Sequence, residues 1–498
     1  MLFNSLDFML FFPIVTLLYF LIPYRLRHVW LLLSSYYFYM CWNVQYALLM
    51  LFSTAVTYLS GRMMDWVRNQ KIEEAVIGRY LKCCVAGSFI LNLGVLFFFK
   101  YFDFAFDNLH ALLELAHIQL RRPNFDVLLP VGISFYTFQA LSYTMDVYRK
   151  EISPEKDFFR YALFVSFFPQ LVAGPIERSK NLLEQFYEKH QFEYERIKDG
   201  VLRMLWGLFM KMVIADRLAL LVDRVYNNWQ RYGGVEIILA TVFFAVQIYC
   251  DFGSYSSIAV GAAQVMGFRL MDNFRQPYFA TSVAGFWRRW HISLTSWFRD
   301  YLYIPLGGNR KGKLRKYLNL MIVFLVSGLW HGASWHYVIW GGLNGAYQII
   351  GDITKPLRNR VLSLFKVNRD CFSYRLMQTS LTFALVDITW LFFRADGLKN
   401  SLRMLKQIVT RFNAGVLIDG TLFSLGLNDK NLAVAVVSIG VLWLVDQYNA
   451  RKGSILCWLS AQNLVFRWGI YYMLLFSIIV FGVYGLGYDA AAFIYFQF

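Results

Sequence analysis

Apolar runs alternate with short charged connections along the whole chain. A helix needs roughly 20 residues to cross about 30 Å of hydrocarbon. The candidate runs are Phe8 to Ile22, Val29 to Cys41, Tyr46 to Leu59, Leu81 to Phe99, Val127 to Met145 and Tyr161 to Val172. They continue with Val201 to Val222, Ile237 to Met266, Leu318 to Ile350, Leu376 to Phe393, Leu432 to Val445 and Trp468 to Leu486. Several are short or merge. The pattern predicts an all-α polytopic integral membrane protein with about ten to twelve transmembrane or re-entrant segments. Broken segments are tolerated at membrane depth only where their backbone lines a protein cavity. Asn400 to Gly415 instead places apolar residues at helical spacing with basic ones opposite, as an amphipathic interfacial helix does.

Charge sets the orientation. Arg299, Arg310, Lys311, Lys313, Arg315 and Lys316 precede the run Leu318 to Ile350, against Asp300 alone; Lys355, Arg358, Arg360, Lys366 and Arg369 follow it. Cytoplasmic loops carry such an excess of Lys and Arg, so both flanks read as cytoplasmic. The run of 33 residues would span about 50 Å as one straight helix. Two shorter segments meeting near SGLWHGASW reconcile the length with the flanks. Gly328 and Gly332 would supply the backbone freedom for the break, and His331 would lie deep in the membrane near the turn.

Composition agrees with this class: 58% of residues are hydrophobic and 16% charged, against about 25% charged in average soluble domains. One integral-membrane domain over residues 1–498 is expected, with core motifs in 126–350 and C-terminal helices in 374–488. The net charge of +17 reads as positive-inside loops facing anionic lipid rather than a nucleic-acid surface. Cys41, Cys83, Cys84, Cys250, Cys371 and Cys457 have no metal-like spacing and read as free thiols. The N-terminal apolar run lacks a basic n-region and a small-residue cleavage site, so it is expected to stay as a first span.

A histidine inside a long apolar run has lost its water, and such residues mark functional sites in membranes. His331 fits a general base that takes a hydroxyl proton for attack on an acyl thioester; a core histidine bonded across a helix interface is the alternative. His336, five residues on, sits about 140° round a helix from His331 and reads as packing. His291 lies among Trp287, Trp290 and Trp297, either as a second catalytic or donor-orienting residue or as an interfacial belt histidine. Arg288, Arg289 and Arg299, with Lys311 and Lys313, form a basic collar able to hold the phosphates of a nucleotide-type thioester or an acidic carrier protein; a solvated loop would look the same. Asp251 and Ser254, in YCDFGSYSSIAVG, share a helical face that lines a tunnel or ties helices together. With Trp330 and Trp335 they are the candidate tunnel-lining residues. Phosphate-loop, dinucleotide, zinc and G-x-S-x-G signatures are missing from the sequence.

WRRWHISLTSWFRDYLYIPLGGNRKG followed by SGLWHGASWHYVIWGGLNG closely resembles the membrane-bound O-acyltransferase (MBOAT) family, in its bacterial branch of alginate and peptidoglycan O-acetyltransferases. LPVGISFYTFQALSYTMDVYR, FFPQLVAGPIER, GLFMKMVIADRLA, YCDFGSYSSIAVGAAQVMGF and the terminal YDAAAFIYFQF are similar to that branch as well, so the resemblance covers nearly the whole chain. It implies a multi-helix funnel or tunnel, with donor entering from the cytoplasm and acceptor from outside. The family's catalytic histidine falls on His331 and its second histidine on His291; His336 matches no fixed family position. The implied reaction transfers an acyl group, expected to be acetyl, from acetyl-CoA or a carrier-bound thioester to an extracytoplasmic glycan hydroxyl or a partner acyltransferase. No permanently bound cofactor is expected, and the implied location is the bacterial inner membrane.

Two other readings stay open. A D-alanyl transferase for teichoic acids carries similar motifs on a typically shorter chain. A lipid-linked glycan transporter would need no covalent chemistry, should tolerate loss of His331, and often shows internal repeats, which this sequence lacks.

Overall fold

The computed structural model describes residues 1–118, 129–484 and 494. The start of the expected Val127–Met145 span, the end of the C-terminal helix region and nearly all of YDAAAFIYFQF lie outside the described residues. Among those described, all regular structure is helical. Six helices are long and apolar enough to cross a membrane: Val44–Arg68, Glu74–Glu114, Gly234–Met266, Phe372–Arg394, Asp429–Lys452 and Leu464–Phe481. Leu464–Phe481 turns almost all of its apolar residues outward, with 6% of its most apolar window buried. Such an inside-out helix is stable only where the surroundings are as apolar as its side chains. This is a multi-pass membrane protein.

The described residues cluster into two compact units, one of 1–201 with 259–271 and one of 202–258 with 272–498. In the first, the expected run Tyr161 to Val172 is broken. Phe158–Ser166 ends at Phe167, and a short helix Phe168–Leu171 follows with Pro169 in its first turn. Residues 161–179 are buried throughout, so backbone groups freed by the break need partners. Side chains supply them. Gln139 and Gln170 both donate from Nε2 to the Phe164 carbonyl, at 2.5 and 3.1 Å, and the Phe168 N–H donates to Ser35 Oγ at 3.1 Å.

In the second unit the run Leu318 to Ile350 forms two helices, Gly312–His331 and Trp335–Ile353, linked through 332–334. They are an antiparallel hairpin. At its base Lys316 Nζ lies 2.7 Å from Asp352 Oδ2, which also accepts from the Tyr317 hydroxyl at 3.0 Å. Farther along, a Cβ on Gly341 would sit 2.1 Å from the Phe324 carbonyl oxygen, and one on Gly328 would sit 2.3 Å from that of Tyr337. The break therefore falls where expected, but the glycines act differently from the expectation. Gly328 lies inside a helix, and Gly332 has φ −167°, which any residue adopts. What each position requires is the missing Cβ: one on Gly332 would meet the Tyr337 ring at 2.2 Å.

Around the hairpin lies an aromatic core in which Trp290, Trp340 and Trp390 are fully buried. Trp287 donates through Nε1 to Asn344 Oδ1 at 3.1 Å. Of the expected amphipathic segment Asn400 to Gly415, the part up to Thr410 is helical, in Leu398–Thr410, with Ser401, Met404 and Gln407 on its buried face.

Candidate active site

His331 is the last residue of the first hairpin helix, and His291 precedes the short helix Ile292–Phe298. They are 40 positions apart in sequence, yet their ring centroids lie 6.3 Å apart. Both are buried. His331 is walled by Trp330 at 4.9 Å, Trp340 at 5.0 Å and Phe393 at 5.6 Å. Phe252 packs edge-on to His291 at 4.7 Å, with Trp330 at 5.9 Å. Two imidazoles enclosed by aromatic rings form a water-poor site able to exchange a proton, where electrostatic effects exceed those in water.

His291 adopts φ 45°, ψ 54°, the left-handed region. A non-glycine residue held there costs about 1–2 kcal/mol and persists only where neighbouring structure over-determines it. Here the segment 272–276 does so. The Ile292 N–H donates to the Asn273 carbonyl at 3.0 Å and the Arg275 N–H to the Arg289 carbonyl at 2.9 Å. Asn273 Oδ1 also accepts from His291 Nδ1 at 3.1 Å, from the Ser293 N–H at 3.2 Å and from Ser293 Oγ at 2.9 Å. The head of the segment is anchored by Arg203, 2.6 Å from Asp272.

The other expected site residues are dispersed. Trp330 lies against both histidines, while Trp335, 52% exposed, starts the second hairpin helix on the outside. His336 bonds Ser334 Oγ through Nδ1 at 2.7 Å and packs on Tyr337. Arg288 is exposed; Arg289 reaches the Gln276 carbonyl at 3.4 Å; exposed Arg299 pairs with its neighbour Asp300 at 2.8 Å.

Asp251 belongs to a buried ion cluster. Lys211 Nζ lies 2.6 Å from Asp251 Oδ1 and 2.8 Å from Asp216 Oδ1, and the Ile494 N–H donates to Asp251 Oδ2 at 2.8 Å. Ser254 Oγ donates to the Asp251 carbonyl at 2.6 Å. The carboxylate thus ties the helix Gly234–Met266 to the π-helical turn Phe209–Ala215 and to the C-terminal tail.

Asn273 and Lys211 escaped the sequence reading. For Lys211 a signal existed, a lone cation inside the apolar FMKMVIA. Asn273 offered none, because its role depends on pairing with a segment 18 residues away.

With this geometry in place, comparison with known proteins decides the family. The family model for MBOAT, the membrane-bound O-acyltransferase family, matches residues 149–386, a span that includes both histidines. "Probable alginate O-acetylase AlgI" of Pseudomonas syringae pv. tomato is 36% identical, over 91% of this chain and 83% of its own length. The chain belongs to the membrane-bound O-acyltransferase family. A "Probable alginate O-acetylase AlgI" of Pseudomonas aeruginosa is 38% identical over 81% of this chain and 74% of its own length. A peptidoglycan O-acetyltransferase of Helicobacter pylori is 33% identical over 76% and 73%. This membrane-bound O-acyltransferase is accordingly an enzyme that moves acyl groups to oxygen.

Proposed function

We propose that the protein transfers an acetyl group from a cytoplasmic thioester, acetyl-CoA or a carrier-bound equivalent, to a hydroxyl of an extracytoplasmic polysaccharide or of a partner acyltransferase. The observation that carries this reading is the pair of buried imidazoles, 6.3 Å apart behind aromatic walls, in a chain whose relatives are named for O-acetylation of alginate and peptidoglycan. The acceptor oxygen attacks the thioester carbonyl, an O–C bond forms, and the C–S bond breaks. His331 takes the hydroxyl proton and returns it to the departing thiolate. His291 orients the donor carbonyl beside it. The basic residues on either side of His291 in sequence, Arg288, Arg289 and Arg299, attract the donor's phosphates from the cytoplasm. Asp251 and Ser254 hold the wall of the passage, and ten to twelve crossing or re-entrant segments seat the enzyme in a bacterial inner membrane.

The test is turnover of radiolabelled acetyl-CoA by purified protein in proteoliposomes, with an acidic polysaccharide as acceptor. His331→Ala should lower transfer by about 10²–10⁴-fold, the usual worth of a positioned general base, with an unchanged size-exclusion profile. Equal transfer by both proteins would remove His331 from the chemistry. Release of labelled acetate without esterification would instead place the acceptor on a second protein.

A further inference from the structure

We infer that Asn273 is the positioning residue that fixes the protonation geometry of His291, holding a proton on Nδ1 so that Nε2 alone can take or give one at the site. This rests on the reading of His291 as part of the acyl-transfer site and goes beyond it, to the atom that acts.

Hydrogen-bond logic carries the argument. The Asn273 carboxamide is 1% exposed and faces the Ser293 backbone N–H at 3.2 Å. A backbone N–H only donates, so the atom facing it is the amide oxygen; the reverse orientation would set two donors against each other. That same oxygen lies 3.1 Å from His291 Nδ1. An amide oxygen only accepts, so Nδ1 carries hydrogen whether the ring is neutral or charged. The ring has little freedom to escape this, because Phe252 packs edge-on at 4.7 Å and the left-handed backbone is itself tied to Asn273 through Ile292.

Nearby charges leave the assignment intact. Among the described rings around His291 (Phe252, Trp330 and His331), only His331 titrates. Asp251, on the helix carrying Phe252, is committed to Lys211 and the Ile494 N–H. Asp272 and Arg275, which flank Asn273, pair at 3.6 Å, and Arg289 donates to the Gln276 carbonyl. A partner that orients an imidazole in this way commonly contributes about 10–100-fold to function.

The assignment is tested on the full chain in bilayers by solid-state NMR of ring-labelled histidine. The chain has 7 histidines, and the difference between wild type and His291→Ala isolates the signal of interest. The expected signal is that of the Nδ1–H form, with Asn273→Leu giving a mixture of tautomers. In turnover of radiolabelled acetyl-CoA, Asn273→Leu should lower kcat by about 10–100-fold with KM for the donor unchanged. Added to His291→Ala it should cost nothing more, since residues acting as a unit are not additive. An Nε2–H signal in wild type overturns the inference, and so does a full additional loss in the double variant.

If Asn273→Leu does not fold, Asn273→Asp decides. It keeps an accepting oxygen, so the tautomer should persist while the pH profile of turnover moves upward, because a carboxylate beside Nδ1–H favours the imidazolium; an unmoved profile counts against the inference. Wild-type turnover in both His331→Ala and His291→Ala would sink the reading of this histidine pair as the acyl-transfer site while the NMR assignment stood.

Discussion

At the scale of single residues, buried polar groups divide between those that act and those that hold. Lys211 is of the second kind, with two carboxylates within 2.8 Å of its ammonium. Removing one member of such a cluster leaves uncompensated buried charge, at a cost of about 3–5 kcal/mol. Lys211→Met should therefore lower the melting temperature in detergent sharply, whereas Lys211→Met combined with Asp216→Asn and Asp251→Asn should recover most of it. Thermal unfolding followed by size-exclusion fluorescence reads both. A Lys211→Met variant scarcely less stable than wild type would mean that the cluster is solvated.

At the scale of elements, the hairpin around His331 depends on close helix contact. Gly341→Ala places a methyl 2.1 Å from the Phe324 carbonyl oxygen, and overpacking of that kind costs about 1–3 kcal/mol. Gly351, on the same helix, has open space around its Cβ position. There the change to alanine should stabilise by about 0.5–1 kcal/mol through helix propensity. The two melting temperatures should move in opposite directions, and Gly341→Ala should also lose acyl transfer because it spreads the helices that present His331.

The pair at the hairpin base gives a pH dependence. Bonds from Lys316 and Tyr317 hold the Asp352 carboxyl below its ordinary value of 3.8. A depressed folded-state value means that this stabilisation is present at neutral pH and is lost as pH falls through that lower value. The destabilisation caused by Lys316→Met should accordingly shrink in melts taken below the ordinary aspartate value of 3.8.

At the scale of the whole molecule, the basic connections on both flanks of the hairpin are expected to share the cytoplasmic compartment. Cys371 is the reporter for this. It lies just after the basic stretch Lys355 to Arg369 and before the helix Phe372–Arg394, and the Ser373 hydroxyl beside its thiol lowers its pKa. A variant retaining only Cys371 should react with a membrane-impermeant maleimide in inside-out vesicles and stay unlabelled in intact spheroplasts. Labelling from outside would reverse the orientation assigned to the hairpin and place its basic flanks opposite the cytoplasm.

The sequence by itself determined the membrane class, the six long apolar helices and the break at SGLWHGASW, because hydrocarbon thickness and charge asymmetry act on consecutive residues and need no knowledge of neighbours. It also picked out His331 and His291, since a lone imidazole in an apolar or tryptophan-rich run is visible locally. The split of Tyr161 to Val172 was less legible: Pro169 hinted at it, but Gln139 and Ser35, which satisfy the broken backbone, come from other helices. Asn273 was not legible at all. Its hold on His291, like the commitment of Asp251 to Lys211, exists only when segments distant in sequence meet, because hydrogen-bond partnership is a property of position in space. The same reason turned Gly328 and Gly332 from points of backbone freedom into points of contact.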